Sequence, residues 1–89
     1  MLHLLKKILW DYELSDEEIL SIYNGELEKG GLNELKLKAR LLNSYNWYTL
    51  IREMGFGKAS QLLKPEIISH LYPKSLQKKY FYAAGLLRN

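Results

Sequence analysis

A chain of 89 residues, 47% hydrophobic and 26% charged, with no cysteine, has material for one small core. It excludes two domains, wholesale disorder, disulfides and thiolate metal sites. The formal net charge is +3, and no apolar run approaches the roughly 20 residues of a membrane span.

Leu2, Leu5, Ile8 and Leu9 recur at helical spacing around Lys6 and Lys7, giving an opening amphipathic helix that stops near Trp10-Asp11. The apolar run is broken by His3, Lys6 and Lys7, and no small-residue cleavage site comes after it. It does not read as a signal peptide, and a cytoplasmic location is the expectation. Ser15-Asp16-Glu17-Glu18 is a helix start, in which the Ser15 hydroxyl accepts from a first-turn amide and Glu18 reaches back three residues. Ile19, Leu20, Ile22 and Tyr23 supply its apolar surface, and Asn24-Gly25 ends it. Gly25, Gly30 and Gly31 amid Glu26, Glu28 and Lys29 predict a flexible polar connection over residues 25–31.

Leu32, Leu35, Ala39 and Leu42 form one stripe of the next helix, widened by Leu37 and Leu41, with Lys36, Lys38 and Arg40 away from it. Asn43-Ser44-Tyr45-Asn46 interrupts the pattern, and either Ser44 or Asn46 can cap another helix. In that helix Trp47, Leu50, Ile51 and Met54 occupy i, i+3, i+4 and i+7, and Gly55 stops it. Short helices are expected over Lys58 to Leu63 and Glu66 to Leu71, separated by Lys64-Pro65. After Tyr72-Pro73 a last helix runs from about Ser75 to Leu87, with Leu76, Tyr80, Ala83 and Leu87 as its core stripe. Without a single valine or an alternating β-branched run, the chain reads as all-α. The expected fold is a compact single domain, 1–89, of four to six short helices.

Gly55-Phe56-Gly57-Lys58-Ala59-Ser60 does not meet the phosphate-loop pattern, because Arg52 stands where its first glycine belongs and Ala59 where its hydroxyl belongs. A glycine turn between two helices explains it better. The same segment admits a helix-turn-helix, with Lys58, Ser60, Gln61 and Lys64 as DNA contacts, although a recognition helix ending before Pro65 is short. His3 and His70 are the only imidazoles, and His70 sits at i+4 from Glu66, the spacing of a surface carboxylate–imidazole pair. No spacing marks a nucleophile, a metal site or a cofactor site, so an enzyme is not expected.

Charge is distributed unevenly. Residues 1–35 carry eight acids against three lysines, a local −5, and residues 36–89 carry ten bases against two acids, a local +8. Either the two halves pack together and neutralise each other, or the second half presents a basic face to nucleic acid or an acidic protein. Among eleven aromatic residues, Trp47 and Tyr80 are expected inside. Tyr48, outside the Trp47 stripe, and Tyr82, on the Lys74–Lys78 face, are expected at an interface.

Three segments together carry a resemblance. They are Ile8-Leu9-Trp10-Asp11-Tyr12, the stretch Ala39-Arg40-Leu41-Leu42-Asn43-Ser44-Tyr45-Asn46-Trp47-Tyr48-Thr49-Leu50-Ile51, and Tyr72-Pro73-Lys74-Ser75-Leu76 leading to Ala83-Ala84-Gly85-Leu86-Leu87. The combination is similar to short all-helical bacterial proteins of unassigned activity, encoded beside abortive-infection-type nucleotidyltransferase toxins and regarded as candidate antitoxins. The glycine-rich acidic linker at Gly25 to Gly31 departs from that pattern. The resemblance implies a protein partner, a nucleotidyltransferase-type toxin, and no catalytic residue. Such an enzyme holds magnesium with carboxylates, so a basic and aromatic surface would complement its cleft. Arg40, Tyr48, Arg52, Lys74, Lys78 and Tyr82 are the expected partner-binding residues. The alternatives are a helix-turn-helix DNA-binding regulator and a homo-oligomeric structural module.

Overall fold

Ser15 begins its helix as its sequence demands. In the computed structural model, which describes residues 1–88 and side chains through Leu86, the Ser15 hydroxyl accepts from the Glu18 amide at 3.1 Å. The Glu18 carboxylate accepts from the Ser15 amide at 2.9 Å. This reciprocal pair opens α2 (Asp16–Tyr23), which comes after α1 (Leu2–Ile8). Ser15→Ala leaves the Glu18 amide without its partner and is expected to cost about 1 kcal/mol, read as a lower urea midpoint at unchanged slope. The Lys29 ammonium on Glu18, and then the Ser15 amide, hold that carboxyl below its ordinary range. A depressed carboxyl stabilises the fold fully above the ordinary carboxylate range. The contribution is lost as pH falls through the lowered value.

Within the connection expected to be flexible, residues 29–32 form a tight turn. Gly30 and Gly31 both take positive φ, 62° and 79°, and Lys29 and Leu32 exchange two backbone hydrogen bonds across them at 3.0 and 3.1 Å. Two left-handed residues in succession favour glycine, which has no Cβ to clash. The turn delivers Leu32 into the core ahead of the next helix rather than within it. Asn33 caps that helix by accepting from the Lys36 amide at 2.9 Å, so α3 spans Glu34–Ser44.

Asn46, not Ser44, caps α4 (Trp47–Met54), its side chain accepting from the Thr49 amide at 2.8 Å. Gly55 alone separates α4 from α5 (Phe56–Ser60), which starts earlier and ends sooner than the sequence suggests. Proline opens α6 (Pro65–Ile68), and α7 (Lys74–Arg88) closes the chain. Seven helices stand among the described residues where four to six were expected, the short α5 and α6 each counting as a separate single turn. No strand is present among the described residues.

α3 is the centre of the packing. It lies against α1, α2 and α6, while α4 packs on α5 and α6 on α7. Leu37, Leu41 and Leu42 of α3 are buried, as are Leu5, Ile22, Leu32, Leu50, Leu62, Ile68 and Leu71 around it, in one apolar cluster. Tyr45, just beyond α3, donates its hydroxyl to the Leu4 carbonyl at 2.9 Å and ties α1 to this hub. Tyr80 is buried as expected, but Trp47 is only half-buried and meets the Tyr80 ring edge-on, with centroids 6.2 Å apart. Leu87, expected in the core stripe of α7, has its side chain outside the described residues.

Candidate functional site

α7 has a buried side and an open side, and helical spacing separates them. Tyr80 and Ala84 face the core, with Leu76, Gln77 and Ala83 half-buried beside them. Gln77 anchors the start of the helix by donating to the Leu71 carbonyl at 2.5 Å. Lys74, Lys78 and Tyr82 succeed one another at i, i+4 and i+8 on the opposite side. All three are exposed, Tyr82 to 71%. Phe81 and Leu86, flanking this line, are exposed as well. The face thus grades from cationic at its start, with Lys79 beside Lys78, to apolar and aromatic at its end. Phe81 and Leu86 were missed as surface residues by sequence reasoning. Their signal was helical spacing, since Leu86 comes four residues after Tyr82 and Phe81 three after Lys78 and seven after Lys74.

The other expected partner-binding residues divide between two further places. Tyr48 and Arg52 are one turn apart on α4 and both exposed, Tyr48 to 82%. Arg52 has Glu53 3.9 Å away, so part of its charge is offset beside it. Arg40 is not a free cation. Its guanidinium pairs with Asp11 at 3.3 Å and covers the Tyr12 ring at 5.4 Å, which joins α3 to the connection between α1 and α2. Lys74, Lys78 and Tyr82 therefore form one line, Tyr48 and Arg52 a second pair, and Arg40 belongs to neither.

Neutralisation between the two halves of the chain is local. Arg40 with Asp11 and Lys38 with Glu34 bridge them. Lys58, Lys64, Lys74, Lys78 and Lys79 have no carboxylate within 4.0 Å among the described residues. Much of the positive charge of the second half thus remains uncompensated.

Two expectations about individual side chains change. His70 does not pair with the Glu66 carboxylate. Its Nδ1 lies 2.9 Å from the Glu66 backbone carbonyl, which requires a proton on that nitrogen. Ser60, a DNA contact in the helix-turn-helix alternative, has its hydroxyl buried without a hydrogen-bond partner.

A second feature lies on α3. Lys36, Ala39, Arg40 and Asn43 share one side of that helix and floor an open cleft of about 330 Å³. Tyr12 walls it on one side, and His70 and Tyr72, from the connection between α6 and α7, line it too. Ala39 makes the floor low, since the residues before and after it in the stripe have longer side chains. Among the described residues no three histidine, aspartate or glutamate side chains gather as a metal ion would require, and no helix is long and apolar enough to cross a membrane.

No protein-family model, curated protein or solved structure matches this chain.

Proposed function

We propose that the protein is a non-catalytic interaction module that docks the open face of α7 onto an acidic surface of a protein partner. The observation carrying this reading is the line Lys74, Lys78 and Tyr82, flanked by exposed Phe81 and Leu86 and without a carboxylate partner among the described residues. Exposed aromatic and apolar side chains supply area at low entropic cost, and neighbouring cations supply orientation and association rate. The resemblance carried by the sequence makes the partner a nucleotidyltransferase-type toxin, whose magnesium-binding carboxylates the lysines would cover, and the role that of an antitoxin. Tyr48 and Arg52 on α4 are the secondary contact in this proposal.

Two facts favour a protein partner over duplex DNA. α5, the would-be recognition helix, has five residues, too few to lay several side chains along a major groove. The Ser60 hydroxyl points inward.

The test is co-purification with any nucleotidyltransferase encoded beside the gene, and rescue of growth from it, at low and high salt. Lys74→Glu with Lys78→Glu is expected to slow association and weaken binding at least about tenfold at low salt, with stability within about 0.5 kcal/mol of the parent. Unchanged binding by the double variant would remove this face from the proposal. Failure of the parent protein to bind would remove the partner. A mass that rises with concentration in the absence of any partner would instead point to a homo-oligomer.

A further inference from the structure

The cleft on α3 has a chemistry that the interaction face does not use. Its lining contains Lys36, Arg40, Asn43 and two tyrosines, and no carboxylate. Lys36 spends one ammonium proton on the Gly31 carbonyl at 3.0 Å, leaving two. Arg40 meets Asp11 through Nη2 alone, at 3.3 and 3.5 Å, so most of its five donors remain available. Asn43 is exposed. Donors and cations from one side of one helix therefore converge where only acceptors and anions are wanted.

The walls restrict the ligand further. Tyr72, 76% exposed as a residue, stands at the edge of the cleft. A flat apolar surface presented to solvent beside cations suits a ligand with both an aromatic face and a negative charge. Tyr12 is occupied on one side by the Arg40 guanidinium, so Tyr72 is the available stacking platform. The volume, about 330 Å³, is at the low end for small-molecule sites and holds one such unit rather than two joined ones. A bare phosphate would leave the tyrosine ring unused, and an uncharged base would leave the cations unused.

We infer that this cleft binds a nucleoside monophosphate, with the base stacked on Tyr72 and the phosphate on Lys36 and Arg40. Base–aromatic stacking tolerates every base, so discrimination falls to the Asn43 amide, which can meet donor and acceptor atoms of a base edge. The site shares no residue with the open face of α7 and stands or falls independently of the partner proposed for that face.

The experiment is a titration of the isotope-labelled protein with AMP, GMP, CMP and UMP, monitored by amide chemical shifts. Adenosine, inorganic phosphate and a single-stranded pentanucleotide form the comparison arms. Saturable shifts confined to residues 36–43 and 70–72 are expected with at least one mononucleotide, with adenosine and phosphate each at least about tenfold weaker. Tyr72→Ala should weaken binding by about 5- to 150-fold, the range for losing one stacked base. Lys36→Gln should weaken the nucleotide but not adenosine, and Lys7→Gln, at an exposed position of α1 outside both surfaces, should change nothing. Neither cleft position is buried, so their variants keep the fold, which unchanged far-ultraviolet circular dichroism verifies. The inference is overturned by the absence of saturable shifts at about 10 mM ligand, by adenosine binding as well as AMP, or by an unaltered Tyr72→Ala. Tighter binding of the pentanucleotide than of any mononucleotide would also overturn it, in favour of a nucleic-acid strand.

Discussion

Leu50→Ala is expected to destabilise the protein by about 2–5 kcal/mol, measured as a fall in the denaturant midpoint. Leu50 is fully buried on α4, with its side chain in the single apolar cluster that also holds α1, α3 and α6. The truncation removes three carbon atoms from water-free packing and leaves a cavity that the surrounding leucines fill only in part. A domain of this length has roughly 4–13 kcal/mol of stability in total. The loss is therefore a large fraction of the whole, and partial unfolding at room temperature is within its reach. A change below about 0.5 kcal/mol would show that α4 does not sit on the core.

Gly55→Ala is the second large effect, and its cause is different. Gly55 has φ 84° and ψ 152° and is the single residue between α4 and α5. That combination is open essentially to glycine alone, and forcing a side chain into it costs about 1–3 kcal/mol. A Cβ at this position would meet no atom within 4 Å, so the penalty lies in the backbone and not in a collision. Gly57, two residues on and inside α5, separates the two causes. Its φ is not positive and its surroundings are equally open, so Gly57→Ala is expected to stabilise by up to about 1 kcal/mol. Equal effects from the two substitutions would refute the backbone explanation.

The helices were legible where a side chain caps them or a glycine stops them. Ser15 with Glu18, Asn46, and Gly55 are signals written within three or four residues, and each has the geometry its chemistry requires. The Gly30-Gly31 turn was not legible as an ordered element. Glycine announces conformational freedom, but only the exchange of hydrogen bonds between Lys29 and Leu32 determines whether the freedom is used. Leu32 matched the stripe of α3 for a related reason. A residue just before a helix can reach the same core as one within it, and periodicity does not distinguish the two.

The site was legible one helix at a time. Lys74, Lys78 and Tyr82 share an angle on one helix, which spacing gives directly. The pairing of Arg40 was not legible because its partner, Asp11, is 29 residues away, and no local pattern reports such a pairing. The cleft was invisible for the same reason. Its floor comes from α3 and its walls from residues near 12 and 71, which only the packing of α3 against its neighbours brings together.

The start of α7 carries a further consequence. Its first turn contains Lys74 and no acid, and Lys78 and Lys79 come directly after it. The peptide dipoles of a helix sum to a partial positive charge at this end, so cations here act against the helix that bears them, by about 0.3–1 kcal/mol within the first turn. Lys74 is thus placed against the dipole of its own helix. An acidic surface brought against that turn meets the lysines and the aligned amide dipoles together, and relieves a repulsion that exists only while the face is empty. Association of the proposed acidic partner would in this way be coupled to the stability of the first turn of α7.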